Sequence, residues 1–187
     1  MNKFIFVWGL YKDMKTNLSP LNLPKYQHIV DEKLIRGHSV TSPVRLYKMK
    51  QQGINQIVDL RNNGGLKKPI ERLFCKIFGI KYINHRYKHR DNNLPERSFF
   101  EKVNTDILQN DGKTYIHCEY GKHRCGIAVA VYEKLHTNKS NVEIIANMEK
   151  YGFYEMLDDC SHQKAKAEKY KQIFRQFLET YLTPKKS

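Results

Sequence analysis

Apolar and polar positions along this 187-residue chain fall into short blocks that switch repeatedly between a strand-like and a helix-like period. Residues 1–25 read as an irregular N-terminal segment, because Ser19-Pro20 and Pro24 interrupt any regular element. From Tyr26 the pattern settles. Tyr26 to Val30 and Lys33 to Arg36 suggest two short strands around an Asp31-Glu32 turn. Ser42-Pro43 is a helix start, a hydroxyl cap followed by proline in the first turn, and Gly53 closes that helix. Ile54 to Leu60 is a β-branched strand, Pro69 opens a helix through Phe78 that Gly79 stops, and Ile80 to Asn84 is the next strand. After a polar loop, Pro95 to Leu108 reads as a helix.

Thr114-Tyr115-Ile116 is again strand-like, and Gly126 to Leu135 is helical. Ser140 with Glu143 makes a capping box for a helix ending near Gly152. In the last helix Tyr170, Ile173, Phe174, Phe177, Leu178, Tyr181 and Leu182 share one apolar face, a core stripe in preference to a nucleic-acid stacking surface. Helices alternating with short apolar strands predict an α/β fold with a sheet covered on both faces, and residues 26–183 are expected to form a single domain.

Chemistry concentrates where the strand at Ile116 gives way to the helix. The run His117-Cys118-Glu119-Tyr120-Gly121-Lys122-His123-Arg124-Cys125-Gly126 sits at that junction. A chain leaving a strand and turning at once into a helix gathers backbone N–H groups, and the helix dipole adds positive potential there. A thiol on the floor of such a cradle ionises readily. Arg124 supplies a planar fork able to grip two oxygens of a phosphate. Nucleophile, oxyanion donors and clamp thus converge on one tetrahedral anion.

The Cys-x5-Arg spacing behind a histidine and ahead of a glycine resembles the signature of the cysteine-dependent protein tyrosine and dual-specificity phosphatases. The order of elements from 26 to about 155 is similar to the small dual-specificity layout as well. The resemblance implies a protein tyrosine phosphatase-like fold, with a central four- or five-stranded, mostly parallel sheet flanked by helices and the active loop at a strand's carboxyl end. It implies Cys118 as the nucleophile of a cysteinyl-phosphate route, with Arg124 and the amides of Glu119, Tyr120, Gly121, Lys122 and His123 binding phosphate. His117 matches the position that helps keep the thiolate ionised and the loop shaped. Asp91 matches the general acid on the family's movable loop, with Glu96 in reserve; the alternative is that Asp91 only caps its turn. Asp59 is read as structural. Neither metal nor organic cofactor is expected.

Departures from the pattern matter too. Cys125 replaces the usual serine or threonine after the arginine and is a weaker donor. Two thiols close together lead to the expectation that mild oxidant forms a reversible Cys118–Cys125 disulfide; the alternative is a small residue that simply fills a helix start. Lys122 fits the lipid- and inositol-phosphate branches, and Gly-Lys-His-Arg resembles atypical phosphatases acting on inositol pyrophosphates. Tyr120 stands where those carry a basic residue, and Glu119 opposes a densely phosphorylated ligand. Arg86, Lys88 and Arg90 around Asp91 either grip additional phosphates or form a solvated loop.

Composition adds direction. The 33 basic against 19 acidic residues leave a net charge of +14, which favours anionic partners. Phosphorylated proteins and inositol phosphates lead; nucleic acid is supported by charge alone, and an inactive phosphate-binding module is the non-enzymatic reading. The four cysteines, Cys75, Cys118, Cys125 and Cys160, show no disulfide or CxxC pattern, which suits a reducing, cytoplasmic setting. The Phe4–Trp8 run is too short to span a bilayer, so no membrane insertion is expected.

Overall fold

The computed structural model describes residues 27–62, 64–87, 94–153, 172 and 175–179. Five strands occur among them: β1 (His28–Ile29), β2 (Leu34–His38), β3 (Ile54–Asp59), β4 (Lys81–Asn84) and β5 (Lys113–Cys118). Helices α1 (Pro43–Gln51), α2 (Lys67–Ile77), α3 (Arg97–Leu108), α4 (His123–His136) and α5 (Asn141–Lys150) accompany them, and residues 175–179 are helical as well. The strands form one sheet in the order β1-β2-β5-β3-β4. Only the β1–β2 pair is antiparallel; β2, β5, β3 and β4 run parallel. The expected α/β architecture, with a four- or five-stranded, mostly parallel sheet flanked by helices, is observed with five strands.

Side-chain alternation along the strands builds two cores. Leu34, Val58 and Ile116 face one layer with α3, α4, α5 and Leu178, while Ile35, Ile57 and Tyr115 face the other with α1 and α2. The central strand β5 carries the functional consequence. Tyr115 and His117 point toward α2, whereas Ile116 and Cys118 point toward α4. The histidine and cysteine of the signature therefore work on opposite faces of one sheet.

Local chemistry explains the boundaries. Ser42 accepts from Arg45 N at 3.5 Å with Pro43 opening α1, and the Ser140–Glu143 capping box is fully formed. Helix α2 begins at Lys67, two residues ahead of the expected Pro69, because proline is tolerated within a first helical turn. Helix α4 begins at His123 instead of Gly126: Gly126 N already donates to Lys122 O at 2.9 Å. That earlier start puts Arg124 and Cys125 in the first turn. Of the C-terminal apolar stripe, Phe177 stacks near Phe100 at 5.4 Å and Leu178 is buried. Its other members, the segment 1–25, Cys160 and the loop bearing Lys88, Arg90 and Asp91 lie outside the described residues. Among the described residues no helix is long and apolar enough to cross a membrane.

Candidate active site

Strand β5 ends at Cys118, and residues 119–122 turn the chain into α4. Gly121 makes that turn possible with φ +72°, a left-handed conformation that side-chained residues resist. A Cβ there would also sit 2.5 Å from the backbone carbon of Gly37, so the loop is pressed onto the end of β2. The N-cap of α4, Lys122, offers no side-chain cap bond, which leaves the helix's first amides for other acceptors.

The acceptor nearest to hand is the Cys118 sulfur. It is buried and held well below the ordinary thiol range, first by a hydrogen bond from the Cys125 side chain, against the opposing effect of burial. The backbone N–H groups of Cys125 and Gly121 and the charge of Arg124 pull in the same direction. Cys125 shifts the opposite way, raised by burial and by its bond to Cys118. Cys118 is therefore the anion and Cys125 the donor. A thiol in this position does what a hydroxyl would do, within reach also of the Gly37 and Ile116 carbonyls at 3.8 Å. Neither sulfur is in a disulfide.

Arg124 is half-buried, with one guanidinium nitrogen 3.4 Å from Leu60 O. It flanks the sulfur closely enough to lower its pKa. Tyr120 is exposed at the rim, and the His123 ring meets Phe153 edge-on at 5.8 Å. Lys122 is half-buried beside it.

Beneath the loop lies a residue that sequence reasoning passed over. Arg36 is buried on the same face of the sheet as Cys118 and donates to Gly121 O at 2.9 Å and Lys122 O at 3.2 Å. Drawing those carbonyls downward turns the neighbouring amides toward the bowl. Burial lowers the Arg36 pKa, and the neighbouring cysteine sulfurs offset part of that. The available signal was a lone arginine inside an otherwise apolar strand, Leu34-Ile35-Arg36.

On the opposite face His117 enters a buried ionic cluster. Its Nε2 lies 3.1 Å from Glu71 Oε1, and its Nδ1 lies 3.1 Å from Cys118 O and 3.8 Å from Asp59 Oδ1. Arg61 clamps Asp59 with bonds of 2.9 and 3.0 Å and also donates to Glu71, while Tyr82 donates its hydroxyl proton to Asp59. Burial disfavours the His117 charge, yet Glu71 and Asp59 raise its pKa overall. For Asp59, burial is outweighed by His117 and Arg61, which lower the pKa. The two carboxylates thus favour the imidazolium form of His117, which holds the backbone of Cys118 from behind and has no route to the sulfur side. Asp59, Glu71 and His117 offer ligand atoms within 4.8 Å of one another. Arg61 already occupies the middle of that cluster, so the set does not fit a cation.

Glu119 leaves the bowl sideways. Its carboxylate meets Lys67 of α2 at 2.6 Å and lies 3.9 Å from Arg61, while its carbonyl accepts from Ser39 N at 3.3 Å. Its negative charge is thereby paired away from the cradle. Glu96 is exposed at the N-cap of α3. Asp91 falls outside the described residues, as stated.

No protein-family model matches the chain, and no curated protein sequence does. Solved structures do. The core catalytic domain of the PP-IP phosphatase SIW14 from S. cerevisiae superposes with a TM-score of 0.60 at 20% identity, over 87% of this chain and 97% of that one. A putative phosphatase (DUF442) from Shewanella putrefaciens CN-32 gives 0.62 at 16%, over 84% and 91%. TpbA of P. aeruginosa gives 0.55 at 13%, over 83% and 98%. The chain has a protein tyrosine phosphatase-like fold. In this chain the amides of Gly121 and Cys125, at the loop between β5 and α4, close around the Cys118 sulfur as a bowl.

Proposed function

We propose that this chain is a cysteine-dependent phosphatase that hydrolyses phosphate monoesters through a cysteinyl-phosphate intermediate. The observation that carries the proposal is the buried Cys118 sulfur at the start of α4, where the Cys125 thiol, the Cys125 and Gly121 amides and the Arg124 guanidinium lower its pKa. The sulfur attacks phosphorus, a cysteine–phosphorus bond forms, and the ester oxygen leaves with a proton. Water then cleaves the intermediate and releases phosphate. Arg124 and the amides of Glu119 to Arg124 hold the equatorial oxygens as their charge redistributes. Asp91 is assigned the proton donor to the leaving oxygen, with Glu96 as the alternative.

The leading substrate is a phosphorylated protein, handled as by a tyrosine or dual-specificity phosphatase. A second reading, an inositol polyphosphate or phosphoinositide, is favoured by one observation. Glu119, whose charge would repel such a ligand, is paired with Lys67 at 2.6 Å. The fold shared with a PP-IP phosphatase at 20% identity is consistent with it. Phosphate release from phosphopeptides, phosphoinositides and inositol pyrophosphates, compared between wild type and Cys118→Ser, decides among these. Equal background release by both proteins on every substrate would leave a phosphate-binding module instead.

A further inference from the structure

Helix α2 turns a second apolar face outward. Leu66, Ile70, Leu73 and Ile77 are 81%, 42%, 55% and 61% exposed, far more than a helix in a two-layered core normally leaves to water. With 3.6 residues per turn these side chains fall within an arc of about 60°. Glu71 and Cys75, the buried residues of the same helix, lie on the opposite side and anchor it to the sheet. The stripe therefore faces directly away from the body of the protein.

Its surroundings are predominantly cationic. Between residues 42 and 81 the only acids are Asp59 and Glu71, and both are buried in the cluster with Arg61. Arg45, Lys48, Lys67, Arg72, Lys76 and Lys81 are exposed or half-exposed over the same stretch, which covers α1, α2 and the start of β4. A cationic rim rules against pairing this stripe with a second copy of itself, since like charges would meet. An apolar ridge inside a largely basic border, with the Glu119 carboxylate paired to Lys67 at one end, is the pattern of a helix lying in the headgroup layer of an anionic membrane.

We infer that α2 docks this protein peripherally on anionic lipid bilayers, with Leu66, Ile70, Leu73 and Ile77 inserted between headgroups and the flanking cations paired with them. Docking brings the bowl close to the surface, because Lys67 at the start of α2 is paired with Glu119 of the loop. The inference does not depend on the catalytic reading.

Sedimentation of the full chain with vesicles tests it, using phosphatidylcholine alone and phosphatidylcholine containing about one-third phosphatidylserine. Wild type should bind the anionic vesicles, less well as salt rises, and bind the neutral ones poorly. The Ile70→Ser/Leu73→Ser double variant should bind roughly tenfold more weakly or worse, for loss of buried apolar area. Arg72→Gln/Lys76→Gln should lose the preference for anionic lipid. Melting curves and turnover of a soluble aryl phosphate should be unchanged in both, and Cys118→Ser should bind vesicles as wild type does. Wild type left in the supernatant with anionic vesicles overturns the inference, as does a serine double variant that binds undiminished. A concentration-dependent dimer abolished by the serine substitutions would also overturn it, by placing a second copy on the stripe.

Discussion

Arg36 reaches up from β2 to donate a hydrogen bond to the carbonyl of Gly121 at 2.9 Å, and so ties the floor of the sheet to the turn of the anion-binding loop. Because the same guanidinium also takes Lys122 O at 3.2 Å, two successive peptide units are fixed with their amides facing the bowl. Arg36→Ala should lower kcat by about tenfold to a hundredfold, the usual penalty for misplacing groups around a reacting centre. Arg36→Lys, which keeps the charge but not the fork, should recover part of it. Steady-state kinetics on an aryl phosphate measures this. A variant that loses stability while retaining full kcat would confine Arg36 to a structural part.

The hydrogen bond from the Cys125 thiol contributes most to lowering the Cys118 pKa. Replacing it by valine removes the donor and should raise the Cys118 pKa, whereas Cys125→Ser should leave it low. The rate of iodoacetamide alkylation against pH reads the pKa directly. In wild type the alkylation rate should already be level through the neutral range. A profile in wild type rising toward the ordinary thiol value of about 8.5 would contradict the assignment of thiolate and donor.

The same contact makes a redox prediction. Peroxide should oxidise the Cys118 thiolate to a sulfenic acid with loss of hydroxide. The Cys125 sulfur then attacks it, water leaves, and a disulfide remains that added thiol reduces. Peptide mapping after mild peroxide should find residues 118 and 125 joined, with activity restored by reductant. Sulfonic acid at Cys118 with Cys125 untouched would rule this out.

The His117 cluster should shape stability at both ends of the pH range. The Asp59 pKa is lowered on folding, so its contribution is present above the unfolded value and is lost as pH falls through the folded one. The His117 pKa is raised, so its contribution is present below about 6.5 and is lost as pH rises through its folded value. Glu71→Gln should weaken the alkaline loss specifically, since Glu71 is the leading cause of the upward shift. It should also destabilise by on the order of 3–5 kcal/mol at neutral pH, the cost of leaving buried charges unpaired. Urea midpoints across pH check both. An unchanged alkaline limb in Glu71→Gln would mean that His117 is not charged.

Much of this was legible in the chain. Period switching and the Ser42 and Ser140 caps marked the elements, because such signals act within one or two turns of backbone. The Cys118–Arg124 spacing marked the bowl for the same reason: all its amides come from one continuous loop. What stayed hidden came from distant strands and helices. Arg36 lies 85 residues from Gly121, and Glu71 meets His117 only because α2 packs on the face of β5 that His117 occupies. The outward apolar stripe of α2 runs against the ordinary rule that a periodic apolar face marks the side that is buried.

The central claim is that the sulfur of Cys118 takes the phosphoryl group. Acid-quenching wild type during turnover of a labelled aryl phosphate, followed by peptide mapping, measures this directly. Phosphate should be found on Cys118, and none on the peptide of Cys118→Ser, which should also show no turnover. Turnover without phosphate on Cys118, or turnover surviving in Cys118→Ser, would contradict the account.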